Sequence, residues 1–188
     1  MDESNQHFEK WSETYDHSLL QHIFFDRLQH AALVLVPAAD PLEDILDVGC
    51  GTGRLLRKAH ARWPQARLCG VDLSEGMIAQ ARRRLPGAHF YAAPAEKIPL
   101  PDHSIDLAFS TVSFHHWDDQ QAGLGEIARV LRPGGRFILA DSDFPLHGNA
   151  IRRQTIGGMF QRAGMQPAAI KTIFLPFLVA VIGKKTAA

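Results

Sequence analysis

From Asp40-Pro41 onward, short apolar runs alternate with stretches of helical spacing. Ile45-Leu46-Asp47-Val48 predicts a buried strand ending in glycines, and Leu55, Leu56, Ala59 and Trp63 then recur as one helix face. Arg67 to Val71 predicts a second strand. Ser74 is placed to cap a helix whose apolar face is Met77, Ile78, Ala81 and Leu85. Further strands are predicted at Ala88 to Ala92, Ile105 to Ser110 and Phe137 to Ala140. Between the last two lies a helix with Leu124, Ile127, Ala128 and Leu131 on one face, stopped by Pro133-Gly134-Gly135. A helix over Ile151 to Ala163 leads to two apolar strands, Ala168 to Leu175 and Phe177 to Ile182. Before residue 40, Leu19, Leu20, Ile23, Phe24 and Leu28 predict one amphipathic helix.

Regular alternation of strand and helix predicts a parallel sheet covered on both faces. Parallel neighbours need a long crossover, and the last two predicted strands are joined by little more than Pro176. They are therefore expected to run antiparallel, so that one strand of the sheet is reversed. The 188 residues suit one domain: a helical segment over 1–40 and an α/β core over 41–188. Twenty basic residues offset twenty acidic ones, so no general attraction to nucleic acid is expected. The runs Ala31 to Ala39 and Phe174 to Ile182 are interrupted by proline and fall short of the ~20 residues of a membrane span. The polar N-terminus does not read as a secretory signal. Two cysteines, Cys50 and Cys69, form no disulfide framework and point to a cytoplasmic location. No His or Cys spacing suggests a metal site, and a homodimer is compatible with everything above.

The chemistry concentrates in Asp47-Val48-Gly49-Cys50-Gly51-Thr52-Gly53, where a strand runs through a glycine turn into a helix. Such glycines let a ligand lie close to the backbone at the carboxyl end of the sheet. Asp72, at the end of the second predicted strand, can accept hydrogen bonds from both hydroxyls of a ribose. Together the two features predict a cofactor containing adenosine. A nicotinamide dinucleotide would favour G-x-G-x-x-G, but here the spacing is G-x-G-x-G with Arg54 at the third glycine's place. Asp47 would repel a pyrophosphate and attract a cationic ligand, so charge favours the sulfonium and ammonium of S-adenosyl-L-methionine.

Five segments in order resemble the class I S-adenosylmethionine-dependent methyltransferases, in the branch of the ubiquinone and menaquinone biosynthesis enzymes. They are FEKWSETYD (Phe8 to Asp16), ILDVGCGTG, GVDLSEGMIAQAR (Gly70 to Arg82), AEKIPLPDHSIDLAFS (Ala95 to Ser110) and EIARVLRPGGRF (Glu126 to Phe137). The resemblance implies a Rossmann-like three-layer α/β sandwich with a mostly parallel seven-stranded sheet. It implies that Gly49, Cys50, Gly51 and Gly53 embrace the methionine part of the cofactor, while Asp47 orders that loop or faces the ammonium group. Asp72 would hold the ribose, Leu73 and Met77 the adenine faces, and the Ala95 N–H an adenine nitrogen. Ser110 would face the ligand through its main chain, and Tyr15 would close over it. Relatives carry Asp before the Ala-Glu pair; here Pro94 stands there, so the adenine amino group loses a partner unless Glu96 replaces it.

His115 and His116 follow the fourth predicted strand, where substrate approaches in this fold, and either can serve as a general base or simply line the pocket. Asp141-Ser142-Asp143 falls at a comparable place after the fifth. The stretch from Asp141 to Ala168 has room for one helix and no lid domain, which points to a small-molecule acceptor. The reading is therefore methyl transfer to a small molecule. The alternative is a weak or inactive methyltransferase-like domain that binds a nucleoside or a protein.

Overall fold

The computed structural model describes residues 19–142, 152–173 and 178–186. The described elements, in chain order, are α1 (Leu19–Leu33), β1 (Asp44–Val48), α2 (Arg54–Arg62), β2 (Arg67–Asp72), α3 (Glu75–Arg84), β3 (His89–Ala92) and β4 (Ile105–Thr111). A single 3-10 turn, Phe114–His116, follows. Then come α4 (Gln120–Val130), β5 (Leu131–Ser142), α5 (Arg153–Arg162), β6 (Met165–Thr172) and β7 (Leu178–Lys185).

The strands form one seven-stranded sheet in the order β3-β2-β1-β4-β5-β7-β6. Strands β1 to β5 pair in parallel, and β7 runs antiparallel to both β5 and β6. The mostly parallel sheet with one reversed strand is thus the one expected. All five residues of β1 are buried, the mark of a strand covered on both faces. On one face Ile45, Leu107 and Ile138 meet Leu28 of α1, Leu55 of α2 and Ile78 of α3. On the other, Leu46, Ala108 and Leu139 meet Leu124 of α4 and Ile156 and Phe160 of α5.

Caps and breakers fix several boundaries. Ser74 Oγ accepts the Met77 N–H at 3.2 Å, and the Asp119 carboxylate accepts the N–H groups of Gln121 and Ala122. The α4 helix ends at Val130, before Pro133. The residues beyond it continue into β5, which is longer than Phe137 to Ala140 because the pairing with β4 restarts at Arg136 after a register shift. The last two strands also differ from expectation, each lying a few residues away. Pro167 falls inside β6 rather than before it. That strand is an edge, where proline has no ladder bond to lose, and the register shifts at Pro167/Ala169.

No helix among the described residues is long and apolar enough to cross a membrane. Ionic contacts tie the end of the sheet opposite the glycine turn. Asp44 accepts from Arg67 at 2.6 Å and from Arg132 at 2.8 Å, and Arg132 also reaches Asp106. The two arginines hold the Asp44 carboxyl below its ordinary value against the opposing effect of burial.

Candidate cofactor and acceptor site

Strands β1, β2 and β4 end side by side, and the candidate site is built on those ends. The turn after β1 takes a left-handed backbone at Gly49, Gly51 and Gly53, with φ of 74°, 51° and 75°. Residues with a Cβ rarely adopt this region, so the glycines are a backbone requirement. The N–H groups of Gly49 and Cys50 both donate to Val71 O, at 2.8 and 3.0 Å, which fastens the turn to β2.

Asp72 completes the turn. One carboxylate oxygen accepts the Gly51 N–H at 2.8 Å and the other accepts the Ser74 N–H at 2.9 Å. Each oxygen keeps a further acceptor position for a ligand hydroxyl. Burial raises the Asp72 carboxyl above its ordinary value, and the two N–H donors oppose that rise. Asp47, buried at the end of β1, is pushed up to about 8 by burial and by the neighbouring charge of Asp72. Its Oδ1 is fully buried without a hydrogen-bond partner, as is Ser110 Oγ at the end of β4. Buried oxygens in this state are costly unless a ligand or water meets them.

The remaining expected positions divide. Leu73 is 53% exposed, an apolar side chain open at the mouth of the site. Met77 and Ala95 are buried, and the Cys50 thiol is buried and raised well above its ordinary value by that burial. Glu96 also takes a partner within the fold. Its Oε1 accepts the Asp119 N–H at 2.9 Å, fastening the loop after β3 to the start of α4. Pro94 shapes that loop through its carbonyl, which accepts the Lys97 N–H. Tyr15 lies outside the described residues.

The two histidines, equivalent in sequence, separate in structure. His115 is nearly buried, and its Nδ1 lies 2.8 and 3.0 Å from the two oxygens of Asp141, which is fully buried on β5. His116 is exposed, its ring 3.9 Å from that of His115. Val112 delivers this turn: a β-branched residue at φ 52°, held by its N–H to Ala140 O. Such a backbone stores about 1–3 kcal/mol and persists only where its surroundings impose it. The chain turns back there, so that Ser113 packs where a Cβ on Gly49 would stand, and Ser113 Oγ accepts Trp117 Nε1–H at 3.1 Å. Sequence reasoning marked Asp141 as near substrate but missed its contact with His115. The available signal was that His115 follows one strand and Asp141 lies near the end of its neighbour.

Strand order, a glycine turn after β1, a carboxylate at the end of β2 that braces that turn, and a reversed β7 define the class I methyltransferase fold. The chain belongs to the family described as "Methyltransferase domain", whose pattern it matches over residues 46–139. It is 46% identical over 98 residues to a malonyl-[acyl-carrier protein] O-methyltransferase of Hahella chejuensis, covering 51% of this chain and 35% of that protein. It is 33% identical over 137 residues to a ubiquinone/menaquinone biosynthesis C-methyltransferase of Geobacter sulfurreducens, covering 64% of this chain and 53% of that one. The chain thus spans between a third and about half of these relatives. Among solved structures, 1,6-didemethyltoxoflavin-N1-methyltransferase of Burkholderia thailandensis superposes with a TM-score of 0.78. That match has 19% identity and covers 97% of this chain and 87% of that one.

Proposed function

We propose that this protein binds S-adenosyl-L-methionine at the ends of β1 and β2 and transfers its methyl group to a small-molecule acceptor. The observation that carries the reading is the Asp47 and Asp72 pair around the glycine turn. One carboxylate is buried with an unpartnered oxygen, suited to an ammonium group, and the other is braced by the turn with acceptor positions left for ribose hydroxyls. The residues fit the cofactor: Gly49 to Gly53 would lie along its methionine part, Leu73 beside the adenine, and Ala95 N–H toward a ring nitrogen. An activated methyl on a sulfonium is the chemistry it supplies.

The protein's own part is alignment. Holding two reactants in line is worth roughly 7–11 kcal/mol, which needs rigid strand ends more than reactive side chains. His115 is the candidate proton acceptor, supported by its buried carboxylate partner, whereas exposed His116 packs on its ring. The segment over 1–40 covers the site in this reading, supported by the packing of Leu28 and Ala32 of α1 into the core beside α2. A small acceptor suits the short stretch between β5 and β6. Two buried free cysteines suit a reducing, cytoplasmic setting.

Calorimetric titration with S-adenosylhomocysteine and with NAD tests the reading. Binding of the first and not the second is expected, and Asp72→Ala should lower affinity about ten- to a hundredfold, as befits a lost hydrogen bond to a charged group. Binding of NAD alone, or unchanged affinity in folded Asp72→Ala, would place the nucleoside elsewhere.

A further inference from the structure

The turn after β4 holds an arrangement that cofactor binding does not call for. His115 Nδ1 faces both oxygens of a carboxylate with no solvent exposure, and the His115 backbone N–H points to the same Asp141 at 3.3 Å. Asp141 Oδ1 also accepts the Ser142 N–H at 2.7 Å, so the carboxylate is anchored on its own strand. An ionised carboxylate only accepts hydrogen bonds, so facing an ionised Asp141 the ring would carry its proton on Nδ1. Nε2, at the opposite side of the ring, is then an unprotonated acceptor. Ser113, two residues before His115, packs against Gly49 of the glycine turn, so this acceptor belongs to the same end of the sheet.

We infer that Asp141 is a positioning residue that fixes His115 as the Nδ1–H tautomer, and that the methyl acceptor is a molecule whose nucleophilic atom carries a proton at neutral pH, such as a phenol, enol or amine. This rests on the methyl-transfer reading above. In the step, the acceptor's X–H bond breaks and its proton passes to His115 Nε2. The X–C bond forms as the methyl carbon parts from sulfur, whose positive charge is neutralised by the bonding pair. Asp141 stabilises the imidazolium that results. A thioether or tertiary amine acceptor would need no such base. The strained backbone at Val112 fits this role, since it brings His115 back over the end of β5 where Asp141 lies.

Nitrogen-15 spectra of histidine-labelled protein test the tautomer without substrate or cofactor, with His115→Gln identifying the signal. The expected wild-type signature is a protonated Nδ1 and an unprotonated Nε2. Asp141→Asn keeps the size and the acceptor for Ser142 N–H but offers an amide to the ring. It should shift His115 toward the Nε2–H form. A wild-type His115 protonated at Nε2, or a signal unchanged in Asp141→Asn, overturns the proposal. Methyl transfer from labelled S-adenosylmethionine to a panel of a catechol, a primary amine, a tertiary amine and a thioether gives the second reading. Transfer to the protic members is expected, with kcat lowered about a hundredfold or more in Asp141→Asn while KM for the cofactor stays unchanged. Transfer to the thioether or tertiary amine alone, or undiminished kcat in the variant, counts against it. Titration with S-adenosylhomocysteine in the same variant separates the two readings. Intact binding with an unaltered tautomer sinks the positioning role alone, and lost binding in the wild type sinks the cofactor site alone.

Discussion

Binding of a cationic ligand at Asp47 should release a proton. Burial and the nearby Asp72 push the Asp47 carboxyl up to about 8, so at pH 7 it is roughly nine-tenths protonated before ligand binds. An ammonium group beside it favours the ionised form and draws the pKa down. Binding of S-adenosylhomocysteine at pH 7 should then release up to about 0.9 proton, and affinity should rise up to about tenfold per pH unit between pH 6 and 8. Calorimetry in phosphate and in Tris, which differ in ionisation enthalpy, counts the protons released. The sign for folding is opposite. A carboxyl whose folded pKa is raised keeps a proton that the unfolded chain loses above about pH 4. Stability of the ligand-free protein therefore falls as pH rises from there to about 8, by up to about 1.4 kcal/mol per unit, and levels off beyond. Asp47→Asn, which resembles the protonated form, should abolish both dependences and weaken binding most at pH 8. Proton-neutral binding at pH 7 together with affinity that is flat from pH 6 to 8 would refute the reasoning, because it would mean Asp47 is either already ionised or remote from the ligand.

Three further substitutions have expected outcomes. Because Glu96 is engaged with the Asp119 N–H, Glu96→Gln should leave cofactor affinity within about twofold. Pro94→Asp, which supplies the missing acceptor, should tighten binding by about 0.5–3 kcal/mol if the turn to Lys97 persists; parallel titrations decide between the two residues. Gly70→Ala should destabilise by about 1–3 kcal/mol in chemical denaturation. Its Cβ would fall 2.6–2.8 Å from the Phe90 ring and Cys50 Sγ, where the core has no room; stability equal to wild type would show that these side chains can retreat.

Some of this protein is written in local order along the chain. The glycine turn, Asp72 at a strand end and the alternation of apolar strand and helix depend on backbone φ and on periods of two and 3.6, which neighbouring residues determine. The reversed seventh strand was legible for the same reason, since a short connection cannot make a parallel crossover. The limits of β5 and β6 were not, because pairing partners distant in sequence decide where a ladder restarts past Pro133-Gly135 or tolerates Pro167 at an edge. Glu96 likewise offers the sequence a carboxylate in the loop after β3, and only the approach of α4 directs it to Asp119. The division between His115 and His116 is the clearest case. Two identical neighbours differ because β5 brings a buried Asp141 from 26 residues away to one ring and leaves the other exposed. Local patterning sets which elements form and where the glycine turn falls. Charge pairing between strand ends depends on the three-dimensional meeting of β4 and β5, which no spacing along the chain encodes.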